Sequence, residues 1–432
     1  MPQTEEKALL VDIKRYFAAR KQTEKICEPL QTEDYVLQPM ADVSPPKWHL
    51  GHTTWFFETF ILKRFLPGYK PFHPQFNFIF NSYYESIGER VLRVNRGNLS
   101  RPTVEDVMAY RDYVDQNIST LISVIKDRDM EEFEKFLTIG INHEQQHQEL
   151  LITDIKYILY NNPLMPAYIA EGGRQMTKPF KKGLEFLPVA GGVHRIGFEG
   201  EGFAWDNERP AHDTYIDDFT IANRLITNGD YLEFMNDGGY SKFNLWLGEG
   251  WDKVKAEQWQ SPLYWHNTDG EWMNYTLAGL KPVDPLEPVT HISFYEADAF
   301  ASWAGARLLT ENEWEIAAAH FDPDLANGNF VESGKLHPIP VQNDSKTCSQ
   351  MLGDTWEWTY SGYFPYPGYK REEGALGEYN GKFMINQMVL RGGSCATPEN
   401  HIRTTYRNFF HPDKRWQFSG IRLAGGQGTD NG

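Results

Sequence analysis

The chain has 432 residues, enough for two domains that each bury a core. Asp and Glu number 59 against 42 Lys and Arg, a net charge of -17 that argues against a polyanionic partner such as nucleic acid. Three cysteines, Cys27, Cys348 and Cys395, exclude a disulfide framework. The acidic opening lacks the pattern of a signal peptide, and every apolar run is broken by charge before it reaches bilayer length. The expectation is a cytoplasmic protein without a membrane partner.

In chain order, Leu9, Leu10, Ile13, Tyr16 and Phe17 predict a first amphipathic helix over residues 5 to about 29. Ser44 reads as the N-cap of a second helix, with Pro45 and Pro46 in its first turn and Pro67-Gly68 ending it. Trp48, His52, Trp55, Thr59 and Leu62 share a face of that helix, so His52 falls on its buried stripe. His49 lies on a neighbouring face and receives no ligand role. Residues 71–101 then read as a long aromatic-rich loop, a length that usually marks a functional segment. It carries Tyr83, Tyr84, Arg90, Arg93, Arg96 and Arg101. Thr103 with Asp106 opens a third helix, and residues from about 133 to 160 form a fourth.

On the fourth helix Phe136, Gly140, His143, His147, Leu151, Asp154 and Ile158 recur at helical spacing. Imidazoles four residues apart on one helix can point at a common metal ion. A third ligand is needed, and His52 is the better placed one. Glu171, in the turn after the helix, is the alternative, and a peptidase would need it. The letters His143-Glu144-Gln145-Gln146-His147 also match H-E-x-x-H, in which zinc binds the histidines and the glutamate is the base. Three imidazoles would leave open positions on iron, whereas two histidines and a carboxylate are commoner for oxygen-activating iron, so spacing leaves the metal undecided. Four such helices predict a bundle with the metal among its inward polar residues.

Around Phe186 the texture changes to short strands and frequent turns rich in Trp and Tyr. The expected division is a helical domain over 1–170, a linker over 171–185 and an α+β domain over 186–432. Within the second domain two helices are predicted, one over 295–304 and one opened by the Thr310–Glu313 capping box.

Trp48-His49-Leu50-Gly51-His52 together with His143-Glu144-Gln145-Gln146-His147 resembles the DinB-type helical domain of the ergothioneine-biosynthesis sulfoxide synthases, the EgtB family. The second domain is similar to that of formylglycine-generating enzymes, a C-type-lectin-like fold. Its landmarks are Trp303-Ala304-Gly305-Ala306-Arg307-Leu308-Leu309-Thr310-Glu311, Gly353-Asp354-Thr355-Trp356-Glu357-Trp358, Leu390-Arg391-Gly392-Gly393-Ser394 and Gly420-Ile421-Arg422-Leu423. The resemblance implies an enzyme that uses iron(II) and dioxygen to join cysteine sulfur to the imidazole of Nα-trimethylhistidine, hercynine, and to oxidise that sulfur to a sulfoxide.

Carried over by the resemblance, His52, His143 and His147 match the iron ligands. Arg90 and Arg93 match an arginine pair that binds the thiol substrate's carboxylate, for which a guanidinium fork is suited. Asn408 matches a residue that orients hercynine, with Gln146 near its imidazole. Phe409 is expected to face the quaternary ammonium, and Tyr379 is counted with the substrate contacts. Phe410 stands where users of γ-glutamylcysteine carry an aspartate, which favours free cysteine and the second type of the family. The Tyr83-Tyr84 pair fits that type, with one of the two donating a proton or hydrogen atom. Cys395 follows Ser394 with no second cysteine downstream, so the copper pair of a formylglycine-generating enzyme is missing and Cys395 reads as a small buried hydrophobe.

Rival readings keep the iron and change the substrate, to histidine in an ovothiol-type reaction or to a selenium donor. Other classes are a zinc-dependent hydrolase or thiol transferase using H-E-x-x-H, and a lectin-like binding module on a structural bundle. Homo-oligomerisation is left open.

Overall fold

The computed structural model describes residues 3–170, 182–342, 347–371, 377 and 380–425. Two compact units divide the chain, the first running to Tyr168 and the second beginning at Ile169.

The first unit is built on four long helices: α1 (Gln3–Cys27), α2 (Pro46–Phe57), α3 (Val104–Val124) and α4 (Asp127–Tyr160). Helix α3 starts as the sequence demands, because Thr103 accepts from Asp106 N at 3.0 Å while Asp106 accepts from Thr103 N at 2.9 Å. Helix α2 starts differently. Its N-cap is Pro45, with no side-chain cap, and Ser44 is used elsewhere: its N–H donates to Asp154 Oδ2 at 2.8 Å and its hydroxyl accepts from Arg96 at 2.9 Å. The expectation of a capping serine gives way to a tether onto α4.

All twelve residues of α2 are buried, so it is a central helix and not the one-sided element its pattern suggests. Helices α1, α3 and α4 and a short helix, Phe76–Phe80, pack around it. Burying rings such as Phe56 and Phe57 there contributes on the order of 1.5–3 kcal/mol each. Beyond Phe57 the helix widens into a π turn, Glu58–Leu62. Glu58, at its start, accepts from Tyr69 Oη at 2.7 Å, Phe72 N at 3.1 Å and Tyr110 Oη at 2.9 Å. A buried carboxylate with three donors is satisfied and pins this end of α2 to the following loop and to α3.

In the second unit the strands are β1 (Phe186–Val189), β2 (Gly192–Ile196), β3 (His212–Ile216), β4 (Phe219–Ala222), β5 (Trp265–Thr268), β6 (Glu271–Thr276), β7 (Gly279–Pro282), β8 (Arg307–Leu308), β9 (Trp356–Gly362), β10 (Met388–Arg391), β11 (Asn408–Phe410), β12 (Ser419–Gly420) and β13 (Leu423–Ala424). They form sheets in the orders β1-β4-β13-β8 and β11-β10-β9-β12, a ribbon β2-β3 and a meander β5-β6-β7. Helices α5 (Asn228–Asn236), α6 (Gly248–Glu257), α7 (Phe294–Trp303) and α8 (Glu311–Phe321) complete it. Both expected helices are present, as α7 and α8. The α5 start carries the same device in Thr227 and Asp230, with Asp in place of Glu. Trp314, Trp356 and Trp358 are fully buried at its core. Among the described residues, no helix is long and apolar enough to cross a membrane.

Candidate metal centre

Helix α2 supplies His52, and α4 supplies His143 and His147 one turn apart. One ring nitrogen from each lies within 4.8 Å of the others. His52 and His143 are buried and His147 is half-buried. Burial pushes His143 down to about 3, against the pull of the Glu144 carboxylate. It lowers His52 and His147 far below their ordinary value as well, and the neighbouring imidazoles add to the effect. Uncharged imidazole is the form that binds a metal.

The orientation of His52 is determined by its partner. Its Nδ1 lies 2.6 Å from the Phe80 carbonyl, which only accepts, so Nδ1 carries the proton and Nε2 the lone pair. Nε2 is buried, and among the described residues nothing hydrogen-bonds to it. A buried, bare nitrogen beside two others is the donor set that a divalent first-row ion takes, and the group contains no carboxylate.

The segment that delivers the Phe80 carbonyl is laced to α2. Trp48 Nε1 donates to Ile79 O at 3.2 Å and Trp55 Nε1 to Asn77 Oδ1 at 2.9 Å. Gly51 permits the approach, since a Cβ there would meet the Phe80 ring at 2.1 Å. Trp48 and Trp55 both stack on His52, with centroids 4.5 and 5.5 Å away, which restricts its ring plane. Just downstream, Asn81 accepts from Tyr84 N at 3.2 Å and donates to Tyr84 O at 3.1 Å, fixing the turn that carries the tyrosine pair. Tyr84 is fully buried against Trp55 and Phe60, each 5.5 Å away, and Tyr83 is half-buried and stacked on it at 4.7 Å.

Of the loop arginines, Arg90 pairs with Glu85 and exposed Arg93 donates to Asp42 O. It is Arg96 that packs against the centre. Its guanidinium lies 3.3 Å from the centre of the Trp48 ring, which also stacks on His52, and donates to Ser44 Oγ and Ser82 Oγ at 2.9 and 3.0 Å. Arg96 is buried, and among the described residues no carboxylate pairs with it. Burial therefore lowers it well below its usual range, and Arg93 adds to the effect. Sequence reasoning passed over Arg96 because burial, not spacing, distinguishes it from its neighbours.

His49 was also passed over. Its Nδ1 lies 2.8 Å from His147 Nδ1, and its Nε2 lies 3.0 Å from Asp154 Oδ2. The available signal was a second histidine in the α2 motif and an aspartate seven residues after His147. Gln146 is half-buried beside His147.

Glu144 faces away from this set. It accepts from Thr23 Oγ1 at 2.8 Å, Arg111 Nη2 at 3.0 Å and Arg20 Nη1 at 3.2 Å. Burial alone would raise its carboxyl, but Arg20 and Arg111 offset that and hold it at about 2. A carboxylate with two arginines and a hydroxyl on it is a poor base, which removes the group that the H-E-x-x-H hydrolase requires.

The second-unit candidates Asn408, Phe409 and Phe410 form β11, antiparallel to β10, and all are half-buried. Asn408 Oδ1 accepts from Phe409 N at 2.9 Å. The Phe409 ring stacks on Tyr363 at 4.0 Å, so one of its faces is covered, and Phe410 meets the edge of Trp416 at 5.7 Å. Cys395 is fully buried and is not in a disulfide, and the same holds of buried Cys27 and Cys348. Tyr379 and Glu171 lie outside the described residues.

Residues 15–151 match the DinB superfamily, and residues 173–426 match the sulfatase-modifying factor enzyme 1-like domain. The fold is thus a DinB-like bundle followed by a formylglycine-generating-enzyme-like domain. A hercynine oxygenase of Mycolicibacterium smegmatis is 32% identical over 410 residues, covering 88% of this chain and 91% of that protein. A hercynine oxygenase of Mycobacterium tuberculosis is 32% identical over 66% of this chain and 70% of its own length. Ergothioneine biosynthesis protein 1 of Schizosaccharomyces pombe is 30% identical over 51% of this chain and 27% of its own length. On the sequence identity and coverage it shares with these proteins, the chain belongs to the hercynine oxygenase, or EgtB, family.

Proposed function

We propose that the protein is an iron(II)- and dioxygen-dependent sulfoxide synthase of ergothioneine biosynthesis that couples hercynine to cysteine. The observation that carries this reading is the convergence of three neutral imidazoles, without a carboxylate, in a relative of hercynine oxygenases. The overall change balances: the imidazole C–H and the thiol S–H are lost, a C–S bond forms, one oxygen atom of dioxygen goes to sulfur and the other leaves as water. Iron(II) held by His52, His143 and His147 would supply the site at which dioxygen is reduced.

The chain's own residues set the surroundings. Trp48, Trp55 and Phe56 wall the imidazoles with apolar rings and limit water. Arg96 is a buried cation in direct ion-pair contact with no carboxylate among the described residues, so it is the guanidinium best suited to take a substrate carboxylate. Tyr84 is the buried phenol of the tyrosine pair and the better proton donor of the two; burial is what separates it from Tyr83. Free cysteine is favoured as the thiol, because Phe410 offers no charge to a γ-glutamyl amine.

The test is dioxygen consumption and product mass with iron(II), supplying hercynine or histidine, each with cysteine or γ-glutamylcysteine. Hercynylcysteine sulfoxide formed only with iron(II) and oxygen is the expected result. Turnover under nitrogen, or full activity in a His147→Ala variant, would overturn the reading. A γ-glutamyl product would overturn only the choice of thiol.

A further inference from the structure

Two residues outside the three-imidazole set form a continuous hydrogen-bonded chain into it. Asp154 Oδ2 meets His49 Nε2 at 3.0 Å, and His49 Nδ1 meets His147 Nδ1 at 2.8 Å. The proton positions follow from the acidic end. A carboxylate accepts, so His49 Nε2 carries a hydrogen. An imidazole whose one ring hydrogen is held at Nε2 by the carboxylate has a bare Nδ1 that can only accept. His147 must then donate from Nδ1, which leaves the lone pair on Nε2. Nε2 is the one ring nitrogen of His147 that His49 does not engage.

The reverse arrangement has a different result. If His147 carried its proton on Nε2, His49 would have to donate from Nδ1, and His147 would have no lone pair to offer an ion. The direction of one hydrogen bond therefore decides whether the third donor exists. The chain is anchored at its far end, where Ser44 N donates to the same Asp154 oxygen at 2.8 Å, so the carboxylate is held between the start of α2 and the body of α4. His52 reaches the same state by a separate route, through the Phe80 carbonyl. His49 sits one turn before His52 on α2, and Asp154 two turns after His147 on α4, so both supports come from the helices that carry the donors.

We propose that Asp154 and His49 are positioning residues that lock His147 in its Nδ1–H tautomer and so keep Nε2 open as a metal ligand. This rests on the metal reading of the three histidines. Partners of this kind typically change metal affinity 10- to 100-fold when removed.

The first test needs no variant and no metal. Long-range 1H–15N correlation spectra of the 15N-histidine-labelled protein should show His147 and His52 protonated at Nδ1 and His49 at Nε2. His147 protonated at Nε2 would overturn the proposal. The second test uses cobalt(II) as the probe. His49→Phe should weaken binding in chelator competition by about 10- to 100-fold. It should also abolish the paramagnetically shifted, slowly exchanging Nδ1–H signal of His147 while sparing that of His52. His49→Gln, which presents an acceptor and a donor on one planar amide, should recover most of the affinity. His49→Phe binding cobalt(II) as tightly as the parent protein would overturn the positioning role and leave the metal reading standing. His147→Ala binding equally tightly would overturn both.

Discussion

A single guanidinium, Arg96, differs from its neighbours in environment and not in residue type. Arg90, Arg93 and Arg96 are equally spaced and chemically identical, but only Arg96 is buried, and it lies over Trp48. On the proposed role of Arg96 as the substrate-carboxylate partner, Arg96→Met would take away charged hydrogen bonds, each worth about 1.5–3 kcal/mol. The expected outcome is a KM for cysteine raised about 10- to 100-fold, with the KM for hercynine little changed, measured by steady-state oxygen uptake. Arg90→Met should leave both values near those of the parent protein. The tyrosine pair separates in the same way. Tyr84→Phe should divert oxidation from C–S coupling toward plain thiol oxidation, read from the product ratio by mass spectrometry, and Tyr83→Phe should divert it less. Histidines at i, i+4 and the WHxxH spacing were legible because helical periodicity fixes which side chains share a face. The contacts of His49 and Arg96 were not, because they depend on what lies across the helix, which periodicity does not encode.

Elements hold these groups in place, and two of them are vulnerable at one atom. In α2, Gly51→Ala would put a methyl 2.1 Å from the Phe80 ring. Overpacking of this kind costs about 1–3 kcal/mol, and it would also displace the carbonyl that orients His52. Thermal unfolding and cobalt(II) affinity should fall together. In α4, Glu144→Gln leaves Arg20 and Arg111 without their shared carboxylate and should destabilise the protein by about 3–5 kcal/mol in urea unfolding. The pH dependence has a definite sign. Glu144 is held at about 2, below its ordinary 4.5, so its contribution is complete above pH 4.5 and disappears as the pH falls toward 2. His143 is held at about 3, below its ordinary 6.5. In the metal-free protein it therefore stabilises fully above pH 6.5 and is lost as the pH falls toward 3. Urea midpoints should decline steadily below pH 6.5, and Glu144→Gln should flatten the part below pH 4.5. Helices α3 and α8 were readable from capping boxes, since the cap is a local bond between near neighbours. Helix α6 was not, because its N-cap, Leu247, makes no side-chain hydrogen bond and gives no such signal. The burial of all of α2 was hidden as well, since its mixed composition suggests two faces and only packing shows that it has none.

For the molecule as a whole, an excess of 17 negative charges makes association with polyanions unfavourable. At pH 7 and moderate salt the protein should bind an anion exchanger and pass unretained through heparin, and heparin retention would contradict the exclusion drawn from composition. The architecture was legible because the hydrophobic period changes from helical to strand-like around Phe186, and because the landmark motifs keep their order. The strand order β1-β4-β13-β8 was not, since it joins segments more than two hundred residues apart whose pairing leaves no local trace.

The pair of arginines clamped on Glu144 bears on redesign. Converting this pocket to amide or ester cleavage by swapping the ion would fail, however well zinc were bound, because the would-be base is already engaged on the opposite side of its helix. Freeing it means uprooting two guanidinium groups from the interior of the bundle, so the scaffold would have to be rebuilt before the chemistry could be.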